Sequence, residues 1–289
     1  MKQNYPYPFT PRSFDLDGNR LSYLDEGKGR VIVLLHGNPT WSFFYRKLVT
    51  LLRHDFRVIA PDHLGCGLSD KPAKYPYTLR NHIDNLERLI LGLGIKKISL
   101  VMHDWGGAIA MGFACRHPEM IEALVVMNTA AFRSERIPWR IRICRTPILG
   151  AVLIRGMNIF ARAALKMAVT RPLAEEVASG YLAPYDSWKN RIAVWRFVKD
   201  IPLSEKDRSW QDLLEIEDGL RQFADTPMRI IWGGRDFCFD RSFYETWCAL
   251  FPKAEKKYLP DAGHYLLEDA FEEIAAAPDD PHRGIGKLP

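Results

Sequence analysis

Three side chains of acid and base type sit where a folded chain could bring them together: Asp104, Asp236 and His264. Asp104 stands in Val101-Met102-His103-Asp104-Trp105-Gly106-Gly107, after the apolar run Ile98 to Val101 and before the small-residue stretch Gly106 to Cys115. This is the strand–turn–helix setting of a nucleophile elbow, a sharp turn that lifts one side chain clear of a sheet. An acyl-transfer enzyme would carry Ser at the tip. Serine needs a base to take its proton, whereas a carboxylate with an ordinary pKa of about 4 is already ionised at neutral pH. It attacks directly and leaves an ester on the enzyme. That chemistry suits displacement at a saturated carbon or the opening of a strained ring.

The partners follow in the chain order nucleophile, acid, histidine. The buried-strand run Met228 to Trp232 ends in Gly233-Gly234-Arg235-Asp236, and the run Glu255 to Leu259 is followed by Pro260-Asp261-Ala262-Gly263-His264. His264 is the expected base and Asp236 its orienter, fixing tautomer and ring direction. Upstream, Val31 to Leu35 runs into His36-Gly37-Asn38-Pro39-Thr40-Trp41. The main-chain N–H groups of Asn38 and Trp105 would form an oxyanion-type site. His103 reads as a structural hydrogen-bonder rather than a second base. Asp62-His63-Leu64-Gly65-Cys66-Gly67 contains Gly-x-Gly without a third glycine at dinucleotide spacing, so it reads as a strand-end turn.

These residues need a sheet to hold them. Phe14 to Leu16 and Leu21 to Asp25 form an expected hairpin around Asp17-Gly18-Asn19, followed by strands at Val31 to Leu35, Arg57 to Ala60, Ile98 to Val101 and Ala123 to Met127. Helical stretches, including Leu79 to Leu91 and Gly106 to Arg116, fall between them. The alternation implies a mostly parallel eight-stranded sheet with helices on both faces, an α/β fold. It stops after Asn128-Thr129-Ala130 and resumes at Met228. We expect a core of 1–131 and 221–289 with a helical cap, 132–220, inserted after the sixth strand. The cap would cover the carboxyl ends of the strands, where ligands bind in open α/β sheets, and exclude water from an apolar pocket. Trp139, Met157, Phe160, Trp188, Trp195 and Phe197 are its candidate apolar residues, most of them expected in cap packing. The tail, Pro278 to Pro289, is expected to be poorly ordered.

At 289 residues a chain buries roughly 75% of its unfolded surface and needs no staples. Five cysteines in an odd count without metal spacing, and an amino terminus without an apolar core, fit a reducing cytoplasm. Neither a cofactor nor a metal is implied. The net charge is +5, and nine basic residues fall between Arg133 and Arg171 with only Glu135 opposing them. Such a stretch lies on a membrane surface, docks an acidic partner, or is simply a solvated face that keeps an apolar lid soluble. No nucleic-acid module is present.

His36-Gly37-Asn38-Pro39-Thr40-Trp41-Ser42 and His103-Asp104-Trp105-Gly106-Gly107 resemble the haloalkane dehalogenase branch of the α/β-hydrolases. In that branch an Asp displaces halide, and Asn and Trp side chains at the positions of Asn38 and Trp105 hold the leaving anion. The acid differs between subgroups; Asn128 stands at the sixth-strand end here, so Asp236 takes that role. Met102 stands where many members carry Gly. Along nearly its whole length the chain resembles more closely the β-lactone decarboxylases of bacterial long-chain olefin biosynthesis. That resemblance is carried by Pro61 to Pro72, Asn128-Thr129-Ala130-Ala131-Phe132, Tyr181-Leu182-Ala183-Pro184-Tyr185-Asp186-Ser187-Trp188 and Asp261-Ala262-Gly263-His264-Tyr265. It implies that a cis-3,4-dialkyl-β-lactone becomes a cis-alkene and carbon dioxide. Asp104 would attack the β-carbon with inversion while Asn38 and Trp105 side chains hold the departing carboxylate. Attack at the carbonyl, giving a mixed anhydride, is a second route. The resemblance further implies a long-chain apolar substrate and an assembly with the β-lactone synthetase and a ketone reductase. Haloalkane dehalogenase is the rival activity. Epoxide hydrolase, with Tyr181 and Tyr185 as available acids, is third, and a catalytically silent receptor or scaffold is the non-enzyme alternative.

Overall fold

The computed structural model describes residues 5–276, and the tail from Pro278 onward lies outside them. The apolar runs become the strands of one sheet: β1 (Arg12–Leu16), β2 (Asn19–Glu26), β3 (Val31–Leu35), β4 (Arg57–Pro61), β5 (Ile98–Asp104), β6 (Ile121–Thr129), β7 (Met228–Gly233) and β8 (Glu255–Leu259). Their order is β1-β2-β4-β3-β5-β6-β7-β8. β2 runs against both of its neighbours and the remaining pairs are parallel. The expected mostly parallel eight-stranded sheet is therefore present. One boundary differs: β5 continues past Val101, pairing Met102, His103 and Asp104 with β6, so the tip residue is itself the last of the strand.

Parallel strands covered on both faces read as continuous apolar runs rather than alternating ones. The period of two still divides them. Val33, Leu35, Leu100, Met102, Leu124, Val126, Ile230 and Trp232 enter one apolar layer. Ile32, Leu34, Val101, Val125, Met127 and Ile231 enter the other. The first layer is closed by α2 (Leu79–Gly92), α3 (Trp105–Arg116) and α10 (Arg241–Leu250); α1 (Arg46–Leu52) packs in the second.

Between β6 and β7 the chain forms α4 (Trp139–Cys144), α5 (Pro147–Ala151), a π-helical turn (Val152–Gly156), α6 (Ile159–Met167), α7 (Glu175–Leu182), α8 (Ile192–Asp200) and α9 (Trp210–Gly219), with no strand. α9 packs on α3, and its Leu213 and Ile216 join the core layer. The overhanging helices are thus α4 to α8. Polar ties bind them to the core. The Trp41 indole N–H donates to the Gly180 carbonyl at 3.1 Å, the Leu79 N–H at the start of α2 donates to Asp200 at 2.9 Å, and the Tyr265 N–H donates to the Ala168 carbonyl at 2.7 Å. A further tie runs to an ion pair within the core. Arg46 on α1 makes two hydrogen bonds to Glu268, at 2.5 and 2.9 Å, and the Tyr181 hydroxyl on α7 donates to the same carboxylate at 2.5 Å.

Removing one partner of a buried ion pair leaves an uncompensated charge. Arg46 and Glu268 side chains are only 5% and 4% exposed. Glu268→Ala is expected to cost about 3–5 kcal/mol in urea unfolding, and Tyr181→Phe about 1.5–3 kcal/mol, as befits a hydrogen bond to a charged group. A Glu268→Ala variant as stable as the parent would sink this account of the buried ion pair.

Candidate active site

Asp104 closes β5 with φ 51° and ψ −127°, a backbone conformation that non-glycine residues seldom adopt. Its surroundings impose it. The Thr129 hydroxyl donates to the Asp104 carbonyl from the neighbouring strand end. A Cβ on Gly37 would strike the Asp104 carboxylate, and one on Gly106 would strike the Leu35 carbonyl, so both positions must lack a side chain for the turn to close. The Asn38 N–H donates to Asp104 Oδ1 at 2.6 Å, and the Trp105 N–H donates to the same carboxylate. Oδ2 stands 3.9 Å from His264 Nε2. Burial lifts this carboxyl above its ordinary range, while His264 and the two main-chain donors pull the other way without cancelling the rise.

His264 follows β8 and its Nδ1–H donates to Asp236 Oδ2 at 2.7 Å. Burial opposes its charging, yet the carboxylates of Asp236 and Asp104 outweigh that and raise the imidazole above 6.5. Asp236 is in turn held by four donors: the N–H groups of Cys238 and Phe239 at 2.6 and 3.1 Å, His264, and the Asn128 side-chain amide at 2.8 Å. Asn128 closes its own circuit with both main-chain groups of Gly233. The sequence gives no direct sign of this role for Asn128 beyond a polar Asn-Thr pair ending an apolar strand. His103 is fully buried, and its Nε2–H donates to the His264 carbonyl at 2.9 Å.

The carboxylate opens into a cavity of ≈ 440 Å³ between the strand ends and the overhanging helices, a usual size for a small-molecule site. Its walls are mostly apolar, with Trp105, Phe132, Phe160, Met167, Val198 and Phe243 among them, and Asn38, Asp104 and His264 at the reactive end. The Asn38 side chain is partly engaged: its Nδ2 donates to the Val194 carbonyl on α8 at 3.1 Å, and its Oδ1 has no partner. Tyr181 and Tyr185 face elsewhere. Their hydroxyls reach Glu268 and the Thr40 carbonyl, and neither residue lines the cavity. Of the apolar residues assigned to the cap, Trp195 and Phe197 are buried, Phe160 lines the cavity, and Trp139, Met157 and Trp188 are exposed. The Gly65 and Gly67 segment is a turn at both of whose glycines φ is positive, wrapped on the Asp62 carboxylate, which accepts from the Ser42 and Leu68 N–H groups at 2.8 Å.

A carboxylate whose pKa is raised loses its charge, and its nucleophilicity, at a higher pH than an exposed one. Esterification of Asp104 by a small alkyl electrophile, followed by intact-mass spectrometry, is expected to fall on acidification with a midpoint above the ordinary aspartate value of about 3.9. His264→Gln removes a charge that favours the ionised form and moves the midpoint upward. A midpoint that does not respond to this substitution contradicts the assignment.

The model for the alpha/beta hydrolase family matches residues 32–277. The chain is 46% identical to the cis-3-alkyl-4-alkyloxetan-2-one decarboxylase of Shewanella oneidensis, over 92% of this chain and 86% of that one. It is 44% identical to the protein of the same name from Xanthomonas campestris pv. campestris, over 94% and 96%. Haloalkane dehalogenase 2 of Mycobacterium tuberculosis is 31% identical over 94% of each chain. The solved structure of haloalkane dehalogenase DbeA from Bradyrhizobium elkani superposes with a TM-score of 0.82 at 27% identity, covering 90% of this chain and 92% of that one. The chain therefore belongs to the alpha/beta hydrolase family, on the branch that holds the haloalkane dehalogenases and, nearer to it, the cis-3-alkyl-4-alkyloxetan-2-one decarboxylases.

Proposed function

We propose that the protein is a decarboxylase of cis-3,4-dialkyl-β-lactones, the oxetan-2-ones named for its relatives, with Asp104 as nucleophile. The observation that carries the proposal is a carboxylate on a strained elbow at the end of an apolar cavity. One of its oxygens is tied down by a main-chain donor and the other stands beside His264. Oδ2 attacks the β-carbon and the ring C–O bond breaks, releasing strain and a carboxylate. The substrate is then an ester of Asp104. The bond from the α-carbon to the carboxylate breaks next; its electron pair forms the C=C bond and the Asp104 C–O bond cleaves. Carbon dioxide, alkene and the Asp104 carboxylate are the products. Inversion followed by anti elimination amounts to syn extrusion, so cis geometry is kept.

Asn38 and Trp105 form the leaving-carboxylate site in this scheme, through the remaining hydrogen on Asn38 Nδ2 and the Trp105 indole N–H. His264, raised in pKa and fixed by Asp236, supplies positive charge beside two carboxylates and has no water to activate. Asp236 and Asn128 act through His264 as positioning residues. The placement of Tyr181 and Tyr185 away from the cavity favours this scheme over epoxide opening, which would need an acid at the leaving oxygen. The same reading has the chain working in an assembly with a β-lactone synthetase and a ketone reductase. It places the chain in the cytoplasm, with five free cysteines in support.

Gas chromatography of the protein with a synthetic cis-dialkyl-β-lactone is expected to give a cis-alkene. Asp104→Ala is expected to lower the rate by at least about 10³-fold, as for loss of a covalent nucleophile. In ¹⁸O-labelled water no label is expected in an organic product, and a labelled β-hydroxy acid would refute the water-free course. No alkene, with halide released from a long-chain haloalkane, would transfer the assignment to the dehalogenases.

A further inference from the structure

The overhanging helices leave a row of apolar side chains in water. Trp139 and Ile143 on α4, Ile148 and Leu149 on α5, Val152 on the π-helical turn, Met157, and Ile159 on α6 are exposed, Ile148 at 82% and Trp139 at 64%. α4 packs on α5, and α6 packs on the turn that continues α5, so these residues belong to one surface. Trp139, Ile143 and Ile159 also line the cavity, which makes the surface continuous with its mouth. Soluble proteins rarely leave such a patch uncovered without a use for it.

The charges beside the patch point one way. Arg133, Arg136 and Arg145 are paired with Glu217, Asp240 and Asp207. Arg142, Arg162 and Lys166 are exposed and have no acidic partner among the described residues. An apolar ridge flanked by unneutralised cations is the composition of an element that lies in the plane of an anionic bilayer. No single helix among the described residues is long and apolar enough to cross a membrane. Pro147–Gly156 and Ile159–Met167 reach a spanning length and composition only together, and they are bent by 70°. Each arm is too short to span and suited to lying flat.

We infer that this face rests on an anionic phospholipid surface, with Ile148, Leu149 and Val152 among the acyl chains and the cavity mouth opening onto the membrane. Lipid fits better than an acidic protein because the ridge runs into the mouth: hydrocarbon there continues the apolar path, whereas a docked protein would stopper it. The inference deepens the proposed function, resting on it for the long-chain apolar substrate. Such a substrate would reach Asp104 without crossing water.

The test is flotation of the full chain with vesicles of phosphatidylcholine containing phosphatidylglycerol, against phosphatidylcholine alone, at low and high salt. Association with the anionic vesicles, weakened by salt, is expected. Ile148→Asp with Leu149→Asp, and separately Arg162→Glu with Lys166→Glu, are each expected to lower it at least about tenfold. Neither pair lines the cavity, so turnover of a water-soluble short-chain β-lactone stays unchanged while turnover of a vesicle-borne long-chain lactone falls. Flotation needs no catalysis, so an inactive but vesicle-bound protein would overturn the function and not the surface. Absence of binding to phosphatidylglycerol vesicles at low salt overturns the inference, as does binding that both double variants leave intact. Binding to polyglutamate without vesicle association overturns it too, and makes the face a protein-docking one.

Discussion

A carboxylate removed from water must be given back the donors it has lost, and the site is organised around that need. Burial alone would push Asp104 toward its neutral form. An isolated buried charge is costly enough that a group usually neutralises instead. The compensating donors come from three places: the Asn38 N–H beyond β3, the Trp105 N–H at the start of α3, and His264 beyond β8. β3 and β6 flank β5 directly, which brings Asn38 and Thr129 to either side of the turn. The parallel direction of the strands matters here, because it gathers their carboxyl ends on one edge.

The same need propagates outward. His264 is oriented by Asp236, which also favours its charged form, and Asp236 is kept in place by Asn128 and two main-chain donors. Along this chain each group is oriented by the hydrogen bonds of the next. In the proposed scheme such a network would lose little reorganisation energy as charge moves from Asp104 to a departing carboxylate, since its dipoles already point at the site.

What was legible in the sequence followed the range of its physics. Strand runs and the elbow are local: an apolar period, glycines where a Cβ would collide, an acid at the tip. Val31 to Leu35, Asp17-Gly18-Asn19 and Gly106-Gly107 could be read for that reason. The extension of β5 to Asp104 could not, since it depends on pairing with β6. Asn128 showed only its type; its grip on Asp236 joins residues 108 positions apart. The aromatic residues of the overhanging helices misled in the same way. Trp139, Met157 and Trp188 have the composition of packing residues but stand exposed, Trp139 on a short helix and the other two in turns, and burial is decided by what lies opposite, which periodicity does not report. Tyr181 offered an acid by type, whereas its hydroxyl belongs to the Arg46–Glu268 pair.

One amide joins the lid to the chemistry. Asn38 Nδ2 carries two hydrogens, and one of them is committed to the Val194 carbonyl on α8. Only the other is left for an anion in the cavity, and its direction is set by the first bond. A shift of α8 therefore re-aims the donor that would greet the leaving group. Linkage makes the effect mutual: whatever free energy lid displacement subtracts from anion binding, anion binding adds to the cost of displacing the lid. In the proposed scheme the released carboxylate would strengthen this tie between α8 and the site, and its conversion to neutral carbon dioxide would remove that contribution.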